Sequence, residues 1–199
     1  MIRRTIDVSA LPTHAFGHRN IMWWGGAGMM AIEGTMFVLL MMAYLYLKGR
    51  SPEWPPGFFA PLLFWGTLNT GIMLASLVPN QLTKKAAERL DLRAARRWLL
   101  VSLVFALAFL AVRIFEFGAL NVWWDSNAYG SIVWALLGFH TVHLLTDVLD
   151  SIAFAVLLFT GPLDESHFAD LSENSLYWYF VVAFWLPIYG LIYLAPRLA

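Results

Sequence analysis

The sequence predicts an all-α integral membrane protein, a bundle of five transmembrane helices, and three observations carry that reading. Of the 199 residues, 60% are hydrophobic and only 13% charged, against roughly 45–50% and about 25% in soluble domains. Aromatic residues reach 16%, so the surplus apolar surface asks for a bilayer rather than water as its solvent. Five segments reach or approach the run of about 20 mostly apolar residues that crosses the hydrocarbon layer.

The first span runs from Ile21 to Leu47 and holds one acid, Glu33. The second runs from Phe59 to Val78 without a charge. The third, Trp98 to Leu120, carries Arg113 and Glu116 near its far end. The fourth, Tyr129 to Phe159, holds His140, His143, Asp147 and Asp150, and the fifth, Leu176 to Leu194, is again uncharged. Together they form a membrane domain over residues 21–195, preceded by a polar segment, residues 1–20, with Pro12, His14 and His18. That segment lacks the apolar centre and cleavage site of a signal peptide.

The connections read as boundaries. Residues 50–57 are proline-rich and cannot continue a helix. Lys84 to Arg97 is charged yet rich in Ala and Leu, so helix is expected to project past the membrane surface there. On the side of the N-terminus lie Arg3, Arg4, Arg19, Lys84, Lys85, Arg89, Arg93, Arg96 and Arg97. The opposite side has Lys48, Arg50 and Arg197. This bias predicts a cytoplasmic N-terminus and a C-terminus outside, on the periplasmic face.

Composition also excludes. No cysteine is present, which removes disulfides, thiolate metal sites and iron–sulfur clusters. Net charge is zero, so nucleic acid is not an expected partner.

Ionisable groups inside a span are costly and mark sites. His140, His143, Asp147 and Asp150 are spaced 3, 4 and 3 apart, which puts them on one stripe of the fourth helix. The stripe reads as a polar seam joining neighbouring helices, as a proton-handling or headgroup-binding site, or as a His-x-x-His metal site without a third ligand. Thr141 and Thr146 flank it and can bond back to the helix. Glu33 reads either as a neutral acid bonded to a neighbouring helix or as a site for protons or a lipid headgroup. Arg113 and Glu116, three apart, can pair along their helix. Met29, Met30, Met36, Met41 and Met42 read as packing residues rather than a copper tract. Trp23, Trp24, Trp54, Trp98, Trp123 and Trp124 read as an interfacial belt.

Several stretches resemble subunit III of the haem–copper terminal oxidases. They are Leu68-Asn-Thr70 with Leu74-Ala-Ser76, and Arg113-Ile-Phe-Glu-Phe117. Next come Tyr129-Gly-Ser131 with Gly138-Phe-His-Thr-Val-His143, and Tyr177-Trp-Tyr-Phe-Val181 with Phe184-Trp185. Glu33 sits where that family has its membrane glutamate. The anchors occur in order over residues 20–195, and the length matches the short, five-helix form. Thr141 replaces a family glycine, Tyr179 and Val182 stand where the last helix has His and Asp, and Asp147 and Asp150 are additional acids.

The resemblance implies a non-redox accessory subunit in a bacterial inner membrane. It implies no haem or copper on this chain, those groups belonging to partner subunits, and it implies bound structural phospholipid. The main partner would be subunit I, with subunit II and other respiratory subunits and membrane lipids around it. The role implied is support of proton uptake and of the stability of an oxygen-reducing, proton-pumping complex driven by cytochrome c or quinol. The lipid- and proton-related residues would be Glu33, His140, His143, Asp147, Asp150, Glu116 and Arg113, with no catalytic residue.

An accessory protein of nitric oxide reductase shares the short pattern. From other classes, a stand-alone transporter or proton channel built on the fourth helix and a metalloenzyme using His140 and His143 are the alternatives. A transporter is expected to show repeated halves with broken helices, whereas Pro187 is the one proline expected well inside a span. The chain freed of its partners is expected to show no haem or copper absorbance in the visible spectrum; a stoichiometric metal or haem on it contradicts the accessory-subunit reading.

Overall fold

The computed structural model describes residues 15–57, 60–162 and 164–198. Arg3, Arg4, Pro12 and His14, with most of the N-terminal segment, and Phe59 at the start of the second span lie outside the described residues.

Polar caps start most of the helices. The Asn20 side chain accepts from the Met22 N–H at 3.1 Å and opens α1, Ile21–Arg50. Asp91 accepts from the Ala94 N–H at 3.0 Å and opens α3, Leu92–Gly118. Asn127 accepts from the Gly130 N–H at 2.9 Å and opens α4, Ala128–Thr160. Each satisfies one of the backbone donors that a helix start leaves free. At the start of α5, Glu165–Tyr189, His167 Nδ1 accepts from the Asp164 N–H at 3.1 Å. The second helix, α2, spans Leu63–Glu88.

Helix α2 begins four residues after the expected start of its span and runs ten residues past its expected end; α3 begins six residues before its span. The charged stretch from Lys84 to Arg97 is therefore two helix ends joined by a tight turn. The Asp91 N–H reaches the Ala86 carbonyl at 3.0 Å and the Leu90 N–H reaches Ala87 at 2.9 Å. Leu90 takes the left-handed conformation (φ 55°) that such a helix-ending turn requires.

Among the described residues, α1, α3, α4 and α5 with its extension to Arg197 are long and apolar enough to cross a membrane. Helix α2 lies in the same bundle but is more polar, with Asn69 and Asn80 buried inside it. It also holds Pro79, so Pro187 is not the only proline inside a helix of the bundle. Pro187 removes a backbone donor, and three residues later α5 widens into a π-helical stretch, Gly190–Leu194. Tyr44 of α1 donates to the Leu191 carbonyl in that stretch at 2.7 Å.

Helix α2 packs on α3 and α5, α3 on α4, and α4 on α5, while α1 lies against α4 and α5. The main apolar core is built from Phe37 and Tyr44 of α1, Met73, Phe109, Leu136 and Leu144, and Trp178 and Trp185 of α5. Trp54 packs edge-on against Tyr44 and Tyr129, at 5.3 and 5.1 Å between ring centres. Of the methionines, Met36 and Met41 pack on the core, whereas Met29 and Met42 are exposed.

Gly130 has no space for a side chain: a Cβ there would run into the Trp123 carbonyl oxygen and the Val122 side chain. Around Gly138, one helix face further on, a Cβ would meet nothing within 4 Å. Gly130→Ala is expected to lower the stability of the purified protein by about 1–3 kcal/mol, and Gly138→Ala to leave it unchanged or slightly raised. Thermal unfolding in one detergent compares the two.

Candidate functional site

The interior holds a buried polar cluster centred on Arg113 and Glu116 of α3. Each is 1% exposed, and Arg113 Nη1 lies 3.0 Å from Glu116 Oε2. Asn69 of α2 donates to Glu116 Oε2 at 2.5 Å, and the Tyr193 hydroxyl donates to Oε1 at 2.5 Å. On its other side the guanidinium lies between two rings, 4.6 Å from the centre of Phe109 and 4.2 Å from that of Trp185. Trp185 in turn donates to the Thr70 hydroxyl at 2.9 Å. The cluster thus ties four elements together and meets the charge of Arg113 with a carboxylate and two π faces.

His140 completes it from α4. Arg113 Nη2 lies 3.4 Å from Nδ1, and Nε2 lies 3.1 Å from the Val181 carbonyl. A guanidinium only donates and a carbonyl only accepts, so this geometry fits a neutral imidazole with its proton on Nε2.

The fourth-helix stripe is not one network. His140 and Asp147 turn into the core, at 0% and 2% exposure. His143 and Asp150 turn toward α1 and the outside. The reason is geometric: residues seven apart share a line along a helix, while residues three apart are offset by about 60°. Four residues at spacings 3, 4 and 3 therefore make two adjacent rows, and packing separates them. Thr141 and Thr146 bond back to the Leu137 and His143 carbonyls, at 2.6 and 2.8 Å.

On the outer row, His143 Nε2 stands 3.7 Å from Glu33 Oε1, and the Tyr177 hydroxyl donates to Glu33 Oε2 at 2.8 Å. The Phe139 carbonyl accepts from His143 Nδ1 at 2.6 Å. With Nδ1 already donating, Nε2 faces a carboxylate favourably only if one of the two carries an additional proton. Phe37 lies 4.9 Å from the His143 ring and closes one side of this triad.

Tyr177 also lines an open cleft of about 550 Å³ between α1, α4 and α5. Its walls include Met22, Met29 and Phe154, and Asp150, Asp170 and Glu173 stand along it. Among the described residues no group of three His, Asp or Glu side chains is placed to hold a metal ion.

The family profile "Cytochrome c oxidase subunit III" matches residues 48–196, most of the chain. The chain belongs to the cytochrome c oxidase subunit III family. Among curated relatives, "Cytochrome c oxidase subunit 3" of Thermostichus vulcanus is 26% identical over 187 residues, covering 92% of each chain. The protein of the same name from a Synechocystis strain is 26% identical over 188 residues, 89% of this chain and 77% of its own. The "Probable cytochrome c oxidase subunit 3" of Mycobacterium tuberculosis is 27% identical over 187 residues, 90% of this chain and 91% of its own. As an oxidase subunit III it is a transmembrane component of the respiratory electron-transport chain.

Several partners in this subunit III have no predicted site role: Asn69, Tyr177 and Trp185 stand in the motifs that carry the resemblance, while Asn80 and Tyr193 are not singled out. For Asn69 a signal is present, since an amide in an apolar run is also costly to bury alone. For the aromatics nothing in the sequence separates a hydroxyl aimed at a carboxylate from one at the membrane interface.

Tyr193→Phe removes one of the hydrogen bonds to a buried carboxylate and is expected to cost about 1.5–3 kcal/mol of stability. Tyr189→Phe, which loses an exposed bond to Thr67, is expected to cost less than about 1 kcal/mol. Paired thermal melts of the two variants check the difference.

Proposed function

We propose that this chain is a non-redox accessory subunit of a haem–copper terminal oxidase. In that reading it packs on subunit I, with subunit II and other respiratory subunits alongside, binds structural phospholipid, and supports proton uptake and durability of a proton-pumping, oxygen-reducing complex. It lies in a bacterial inner membrane with all five helices spanning, the N-terminus inside and the C-terminus outside. Haem and copper belong to its partners.

The family match supports the oxidase assignment, and the relatives' names favour it over nitric oxide reductase. The observation that carries the proton- and lipid-related part is the Glu33–His143–Tyr177 triad beside the open cleft. A carboxylate and an imidazole that need one proton between them, next to an apolar groove with an acidic margin, suit both proton exchange and a phospholipid headgroup. Asp150 belongs to that margin, and Asp147 lies one turn from His143. Arg113, Glu116 and His140 hold the bundle in the arrangement that presents the triad.

Purification through a tag on this chain in mild detergent tests the assignment. Subunits I and II with a haem–copper spectrum are expected to follow it; recovery without a redox partner contradicts it. Glu33→Gln is expected to leave assembly intact and to shorten several-fold the period over which the complex sustains turnover. A variant indistinguishable from wild type in both initial rate and decline removes Glu33 from the account.

A further inference from the structure

Asp147 belongs to neither the triad nor the Arg113 cluster and, unlike Asp150, does not line the open cleft. It is 2% exposed, and its Oδ1 has no hydrogen-bond partner. It lines a small chamber between α2, α3, α4 and α5, of about 10 Å³. A single water needs about 10–15 Å³ and two to four polar partners. The chamber supplies them: Asn80 and Thr83 from α2, Ser102 from α3, and Asn174 and Ser175 from α5 line it with Asp147.

We propose that Asp147 and one buried water form a protonatable site sealed inside the bundle, with the contact between Asn174 and Ser151 closing it from the open cleft. The charge argument comes first. A bare carboxylate in this position would be unpaired in a membrane interior, at a cost of several kcal/mol. Among the described residues no Lys, Arg or His lines the chamber, and α2 and α3 present only amides, hydroxyls and apolar groups to it. The titratable groups that interact with it are Asp150, three residues on along α4, which is itself acidic, and Tyr177 of α5. Glu33 of α1 and His143 are engaged with each other and with Tyr177. Nothing there neutralises a carboxylate, so a proton does.

The water follows from the hydrogen-bond count. Asn80 Nδ2 is used on the Ser175 carbonyl at 2.9 Å, and the Thr83 hydroxyl on the Pro79 carbonyl at 2.9 Å. Neither turns to Asp147. A water in the chamber bridges Asp147 Oδ1 to the hydroxyls around it.

The closure is equally specific. Asn174 lines both the chamber and the cleft that carries Asp150, Asp170 and Glu173. Its Nδ2 donates to Ser151 Oγ at 3.1 Å. Breaking that one contact joins the chamber to the cleft, so the site exchanges protons only when α4 and α5 part locally.

This inference deepens the proton-handling reading of α4, but its readout is the vibration of one carboxyl group and does not depend on turnover. Infrared spectra of the purified complex in H2O and D2O are compared for wild type, Asp147→Asn and Asn174→Ala. A protonated-carboxyl C=O band is expected to be lost in D147N. The same band is expected to show deuterium exchange about tenfold faster in N174A than in wild type, the effect of removing one hydrogen bond. Should D147N fail to assemble, Asp147→Glu reads the same group by shifting the band. A spectrum with no band altered at Asp147, a band that responds to sodium rather than to D2O, or equal exchange in N174A overturns the proposal. Altered turnover in any of these variants without the band touches only the oxidase reading.

Discussion

A guanidinium buried in the middle of a membrane bundle is the constraint around which this chain is organised. Arg113 is 1% exposed and cannot lose its proton, so each neighbouring element must meet it. Helix α3 supplies Glu116 and the Phe109 face, α5 the face of Trp185, and α4 a neutral His140. Glu116 then needs donors of its own, and Asn69 of α2 and Tyr193 provide them. Even a distant feature follows. The ring of Tyr193 lies 2.6 Å from where a Cβ of residue 66 would stand, so the approach of the π-helical stretch to α2 requires glycine at that position. The π-helical stretch beyond Pro187 carries Tyr193 to Glu116.

Around this centre the polar groups divide by depth. The Arg113 cluster is closed and its two charges meet each other, although Arg113 Nε and Asn69 Oδ1 have no hydrogen-bond partner. The Glu33–His143–Tyr177 triad sits beside an open cleft. Asp147 lies further along α4, on the same helix row as His140, and lines a separate chamber with Asn80, Ser102 and Ser175. One helix thus carries a histidine in the Arg113 cluster, a histidine beside Glu33 and a buried acid within eight residues, and the three-residue offset separates His143 from the row of His140 and Asp147.

Much of this was legible in the sequence. Helix positions followed from apolar length, and the pairing of Arg113 with Glu116 from their spacing. What could not be read was the partner of each polar group, because partners come from other helices and periodicity describes one helix at a time. The stripe on α4 shows the limit: spacing placed four residues on one face, but the choice between core and cleft depends on where α1, α3 and α5 pack. The continuation of α2 beyond its apolar span agrees with the helical projection expected over Lys84 to Arg97, and its contacts came from another helix: Asn80 bonds the Ser175 carbonyl at 2.9 Å and Lys84 the Ser172 hydroxyl at 3.0 Å.

The claim that the Arg113–Glu116 pair holds the bundle together is tested most directly by a double-mutant cycle, with stability of the assembled complex as the readout. Arg113→Met and Glu116→Met each leave one buried charge unpaired and are expected to cost about 3–5 kcal/mol; with both replaced, most of that loss is expected to return. Additive losses in the double variant, or single variants as stable as wild type, would contradict a bundle organised around this pair.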